Sequence, residues 1–209
     1  MRDTDTETET ETGPVAGPTP EGAAPPAADR PRGAALFRRV GLLAVLREDL
    51  RTHRGEILRP GLQALWVYRI GTWAGTLPPV LRQGMGLVYF LGQRFCRNVY
   101  GIELMRSARI GRRFLIGHQH GIVIHQYASI GDDCAVRQGV TFGIGTDWVP
   151  GQGPVIGNNV SFAPGAIVIG NVTIGDNVSV GPNCVVSADV PADRSLFIPP
   201  PRVLPRAPG

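Results

Sequence analysis

The sequence predicts a mainly β fold, a parallel β-helix, standing behind an α-helical domain. Three observations carry that expectation. Apolar residues return every six positions from Ile110 onward, they recur three and four apart before it, and the 209 residues include 28 Gly and 19 Pro. Gly and Pro at roughly twice their usual share do not suit a helical bundle. An apolar share of 43% is enough for a packed core.

Residues 1–33 read as a disordered acidic, Pro-rich tail. Residues 4–12 run T-D-T-E-T-E-T-E-T and a Pro/Ala/Gly stretch follows, with too little apolar surface to offset the entropy of ordering the chain. An acidic, Thr-rich start is also unlike a secretory signal.

Residues 34–105 read as a helical domain. Leu36, Val40, Leu43, Leu46 and Leu50 mark a first helix, and Leu62, Trp66, Ile70 and Trp73 a second that starts after Pro60. A third is expected from Val80 to about Arg97, beyond Leu77-Pro78-Pro79. All 21 basic residues are Arg, and residues 34–113 hold 14 of them against 4 acidic residues. Such a block can face nucleic acid or an anionic membrane, or be a solvated face. Because the arginines fall between apolar positions, amphipathic helices with basic outer faces that pack on a partner surface are expected. No nucleic-acid partner is expected, and peripheral membrane contact stays open. The longest apolar runs, Leu42–Leu46 and Leu87–Leu91, are far too short to span a bilayer. Cys96, Cys134 and Cys184 are far apart and odd in number, which fits reduced thiols in the cytoplasm.

Residues 106–190 carry the six-residue period: Ile110 and Ile116, then Ile124, Ile130, Val136 and Phe142, then Ile156, Phe162, Val168, Ile174, Val180 and Val186. Small or branched residues stand two positions before most of them, and Gly follows several directly. Such a period builds a parallel β-helix with coils of about 18 residues, the apolar side chain pointing inward and Gly expected to serve the turn. The period slips twice, around Gly117–Gly121 (G-H-Q-H-G) and across Gly143–Pro154. Residues in such breaks stand outside the prism wall, where chemistry is possible. Residues 191–209 read as a C-terminal closing segment.

His118, His120 and His125 lie in or beside the first break. Three readings compete on spacing alone: a general base titrating near neutral pH, a metal site, and solvent-exposed turn histidines. Metal is disfavoured because the break holds no Cys or carboxylate.

The stretch Gly101–Gly143, with I-G-N-V-T-I-G-D-N-V-S-V-G-P-N-C-V-V (Ile169–Val186), resembles the serine acetyltransferase branch of the hexapeptide-repeat acyltransferases. Gly61–Ile70 resembles that family's helical domain and Pro199–Leu204 its closing segment, so the likeness covers about residues 36–204. The resemblance implies a left-handed β-helix, a homotrimer or hexamer, acetyl-CoA as co-substrate, no permanently bound cofactor and no metal. It places the catalytic base on His118 and the carboxylate orienting it on Glu103. Donor-binding positions fall on Gly143, Gly145, Thr146, Pro164, Pro182 and Arg202, and acceptor-binding positions on His120, His125 and Gln152.

Departures from the pattern are also legible. The Asp before the family's base is Gly117, its Arg-His-Pro reads Gln152-Gly153-Pro154, and its Gly-Glu-Thr is His125-Gln126-Tyr127. Groups suited to an amino acid's ammonium and carboxylate are therefore missing, and burying those charges without partners is costly. The expectation is the same acetyl transfer to a less zwitterionic hydroxyl, with authentic serine O-acetyltransferase and a non-catalytic scaffold as alternatives. The ending R-A-P-G lacks the terminal Ile that family members use to dock cysteine synthase, so that partner is not expected.

Overall fold

The computed structural model describes residues 32–146 and 149–200. The tail expected at 1–33 lies outside the described residues except for Arg32 and Gly33, as do Arg202 and the rest of 201–209.

Four helices come first: α1 (Ala34–Val40), α2 (Leu42–Thr52), α3 (Pro60–Ala74) and α4 (Pro79–Phe95), closed by a π-helical turn at Cys96–Tyr100. Pro60 and Pro79 each occupy a first helical position, where the missing N–H has no helical partner to lose. The single first helix expected from Leu36 to Leu50 is instead two helices. Gly41 between them has φ +83° and ψ 150°, outside the helical region. The buried face of α3 is also not the Trp66–Ile70–Trp73 stripe but Leu62, Leu65, Tyr68 and Arg69. The basic outer face expected of the third helix is largely apolar: Val80, Leu87, Val88, Leu91 and Phe95 of α4 are exposed. Among the described residues no helix is long and apolar enough to cross a membrane.

Short parallel strands follow in a three-faced solenoid. One face stacks β1 (Ile102–Leu104), β4 (Ile122–Ile124), β7 (Thr141–Gly143), β10 (Ile167–Ile169) and β13 (Val185–Val186). The second stacks β2 (Arg109–Ile110), β5 (Ser129–Ile130), β8 (Val155–Ile156) and β11 (Thr173–Ile174). The third stacks β3 (Leu115–Ile116), β6 (Ala135–Val136), β9 (Ser161–Phe162), β12 (Ser179–Val180) and β14 (Ser195–Leu196). Strand pairing begins four residues before residue 106, because Ile102 and Leu104 already pack inward beside Ile122 and Ile124. All twelve residues of the six-residue period are buried, and Phe142 meets Phe162 edge-on with centroids 4.7 Å apart.

At the corner between the second and third faces, side chains of successive coils cap the backbone of the coil below. Arg112 N–H donates to Asp132 Oδ1, Asp132 N–H to Asn158 Oδ1 and Asn158 N–H to Asp176 Oδ1, at 2.8, 2.9 and 2.6 Å. The rungs are 20, 26 and 18 residues apart, which locates both register breaks and shows the coil regaining its regular length above them. The turn role expected of the glycines needs correction here. The left-handed backbone at this corner belongs to Arg113, Asp133, Asn159, Asn177 and Asp193, with φ from 53° to 61°. Gly131 and Gly157 are required by stacking instead. A Cβ on Gly157 would lie 2.7 Å from the Asp176 nitrogen, and one on Gly131 would meet the Gly157 carbonyl.

The helices are fastened to the first coil by buried polar contacts. Arg69, with no exposed surface, bonds both carboxylate oxygens of Asp49 at 3.0 and 3.3 Å and the carbonyls of Ile110 and Gly111 at 2.9 and 2.6 Å. Beside it, buried His53 spans Asp49 O (2.8 Å from Nδ1) and the Ile116 N–H (3.2 Å to Nε2). Accepting the Ile116 N–H requires a neutral ring with its proton on Nδ1. Burial, the largest influence, holds the His53 pKa below its ordinary value of 6.5. The stability this ring confers is therefore full above that value and lost as pH falls through the lowered folded-state pKa. Melting temperature is expected to fall as pH drops below about 6.5, with a shallower acid slope in His53→Gln. An identical slope in that variant would remove His53 as the cause.

Candidate functional site

The first break follows β3. Gly117 N–H still closes onto Val136 O at 2.9 Å, after which the loop leaves the prism wall at the corner between the third and first faces. Its far end is tied down: His120 N–H donates to Tyr100 O (2.9 Å), Gly139 N–H to His120 O (2.9 Å) and Ile122 N–H to Gly101 O (3.0 Å). His120 has φ +75°, and a Cβ on Gly101 would lie 3.1 Å from His120 Nδ1, so the imidazole rides over Gly101. His118, between these anchors, is exposed.

His118 borders a cleft of about 620 Å³ running up this corner and the third face, with Pro164, Pro182 and Phe197 along it. Arg54 and Arg59 enter it from the connection between α2 and α3, and Arg137 from the next coil. Those three cations were not anticipated. Arg137 could have been found by register alone: Ile116 pairs with Val136, so Arg137 stands directly over Gly117. Arg54 and Arg59 depend on how the helices dock, which the repeat does not encode.

The second break lies at the opposite edge of the first face, between β7 and β8. Gly145, Thr146, Val149, Gln152, Gly170 and Asn171 enclose a separate cavity of about 210 Å³. Gly143 ends β7 and accepts the Gly170 N–H at 3.2 Å. Half-buried His125 lies one coil below, its ring edge-on to Tyr127 at 5.3 Å. Gly153 is buried against Tyr127, where a Cβ would fall 2.9 Å from the Tyr127 Cβ and 3.0 Å from its carbonyl carbon. Glu103 points outward from the middle of β1 and its carboxylate pairs with Arg97 at 3.4 Å. No hydrogen bond or ion pair joins it to His118, which stands at the corner rather than on that face. The structure thus brings His118, Pro164 and Pro182 together, groups Gly145, Thr146 and Gln152 elsewhere, and leaves Glu103 apart from both. Among the described residues no group of three or more His, Cys, Asp or Glu is placed to hold a metal ion.

Residues 153–188 match the family described as bacterial transferase hexapeptide (six repeats). A serine acetyltransferase of Synechococcus elongatus is 38% identical over 149 residues, covering 71% of this chain and 58% of that protein. The chain carries the hexapeptide transferase repeat and is similar to serine acetyltransferases. A serine acetyltransferase of Mycobacterium tuberculosis is 33% identical over 145 residues, 64% of this chain and 60% of that one. The chain therefore spans about three-fifths of the length of these curated relatives. Serine acetyltransferase isoform 3 of Entamoeba histolytica, solved in complex with cysteine, superposes with a TM-score of 0.65 and 26% identity over 83% of this chain and 64% of that one. The Brucella abortus serine acetyltransferase in complex with coenzyme A shares the fold, with a TM-score of 0.67 and 21% identity over 80% of this chain and 69% of that one. As in other hexapeptide-repeat proteins of this type, the β-helix is left-handed, with the helices N-terminal to it.

Proposed function

We propose that the chain is an acetyl-CoA-dependent O-acetyltransferase of the serine O-acetyltransferase kind, with His118 as general base. The supporting observation is the cleft in which exposed His118 faces the positions expected at the donor, Pro164 and Pro182, beside Arg54, Arg59 and Arg137. Guanidinium groups suit the phosphates of a CoA donor. The His118 imidazole takes the proton of the acceptor hydroxyl as its oxygen attacks the thioester carbonyl. Collapse of the tetrahedral intermediate expels the CoA thiolate, which takes the proton back from the imidazolium. Glu103 serves as a positioning residue in this scheme only after its pair with Arg97 opens.

The likeness of the Synechococcus and Mycobacterium relatives supports serine as the acceptor. One observation favours a second reading, a hydroxyl acceptor without amino-acid charges. The site matched to a histidine in the family is Gly153, where Tyr127 leaves no room for a side chain, and the neighbouring match is neutral Gln152. A further proposal is a homotrimer, single or paired into a hexamer. His118 and the Gln152 loop stand at opposite edges of the first face, so a copy packed alongside would bring one chain's first break against the other's second. We also place the protein in the cytoplasm, where acetyl-CoA is available and the buried, unpaired Cys96, Cys134 and Cys184 stay reduced.

The test is acceptor-dependent release of CoA thiol from acetyl-CoA. Saturable turnover with serine is expected. Turnover on a neutral polyol or sugar at about ten-fold higher kcat/KM than serine selects the second reading. No release with any hydroxyl, together with no CoA binding by calorimetry, overturns both and leaves a scaffold.

A further inference from the structure

A third cavity, of about 470 Å³, lies between the start of the helical segment and the first coils, and it shares no lining residue with the His118 cleft or the Gln152 cavity. Four arginines line it: Arg32, Arg82 of α4, Arg106, and Arg109 of β2, with the hydroxyl-bearing Thr72 and Ser107. No Asp or Glu is among its lining residues. Elsewhere the chain pairs its arginines with carboxylates, as in Arg59–Glu56, Arg69–Asp49, Arg97–Glu103, Arg112–Glu48 and Arg113–Asp133. None of the four cavity arginines has a carboxylate within ion-pair distance among the described residues.

Arg32 is the most constrained of the four, anchored by groups that do not themselves line the cavity. Its Nη1 donates to Ser129 Oγ at 3.0 Å and approaches Ile156 O at 3.5 Å, which fixes the side chain across the second face. Its Nη2 is buried with no hydrogen-bond partner. A buried guanidinium nitrogen left without an acceptor is destabilising unless something supplies one. Asp132 and Asp176 favour the Arg32 charge from a distance, but burial is the larger influence and lowers its pKa. Arg106 lies 6.0 Å from the Tyr89 ring centroid, which biases its head group without neutralising it.

We infer that this cavity is a binding site for a compact oligoanion of the diphosphate class, separate from the acetyl-transfer cleft. Guanidinium forks match phosphate oxygens in pairs. A monocarboxylate would leave most of the clustered positive charge uncompensated, and the volume falls within the range of small-molecule sites. The ligand is a soluble phosphate compound rather than a lipid headgroup, because the four arginines line a cavity of about 470 Å³ rather than a flat face.

Calorimetric titration of the full chain with inorganic pyrophosphate at low ionic strength tests this. With the His118 cleft saturated by CoA, the expected result is one site per chain, weakened about ten-fold or more in Arg82→Ala/Arg109→Ala. Both side chains are exposed, so a folded double variant is expected, checked by an unchanged circular dichroism spectrum. Binding to the CoA-saturated chain is expected to be the same in His118→Ala. Absence of pyrophosphate binding, equal affinity in the double variant, displacement by CoA, or binding only to anionic vesicles would each overturn the assignment. Since His118→Ala and CoA act on the other cleft, failure here leaves the acetyl-transfer proposal intact.

Discussion

His118→Ala is expected to lower kcat by about 10²–10⁴-fold, the usual contribution of a general base, while CoA affinity and melting temperature stay close to those of the parent. The stability expectation rests on exposure, since His118 stands between anchors made by the backbones of Gly117, His120 and Ile122, none of which uses its ring. The donor expectation rests on the cleft, whose cations Arg54, Arg59 and Arg137 remain. Steady-state kinetics with acetyl-CoA and the acceptor found by the thiol-release assay decide it. A loss confined to KM would make His118 a binding group. Unchanged kcat would move the base to another side chain, with His120, the other histidine of the same loop, the first candidate.

Breaking the buried pair at the root of the helices is the change with the largest expected effect on stability. Arg69→Ala leaves the Asp49 carboxylate and the Ile110 and Gly111 carbonyls buried without their donor. An uncompensated buried charge of this kind typically costs about 3–5 kcal/mol. The double variant Asp49→Ala/Arg69→Leu is expected to recover part of that loss, because no lone charge remains. Denaturant unfolding followed by circular dichroism measures both. A loss below about 1 kcal/mol in Arg69→Ala, the level of an exposed pair, would show that the helices are held by other contacts.

Much of the solenoid is legible in the sequence because its inward positions are chemically uniform. Ile110, Val136 and Phe162 differ in shape, yet all must be apolar, and the constraint recurs every six residues. The two breaks are equally visible, since they interrupt something periodic. The helical segment offers no such redundancy. A helix with apolar residues on several faces does not announce which face docks, and α3 buries Arg69 because two carbonyls of the first coil await a donor, a fact set by the solenoid and not by the helix. The glycines mislead for a related reason. Gly131 and Gly157 look like turn residues, but their neighbours in space lie a whole coil away in sequence. The candidate site divides in the same manner: His118 is readable from its break, whereas the Glu103–Arg97 pair and the entry of Arg54 and Arg59 depend on docking.

The corner ladder from Arg112 through Asp132 and Asn158 to Asp176 keeps its rungs at 2.6–2.9 Å although the intervening chain varies from 18 to 26 residues. Loop length and coil pitch are thus decoupled. A scaffold with that property can exchange the contents of its outward loops without disturbing the coils above or below. Diversification of chemistry in such a protein is a matter of grafting at corners, with the prism itself left as inherited.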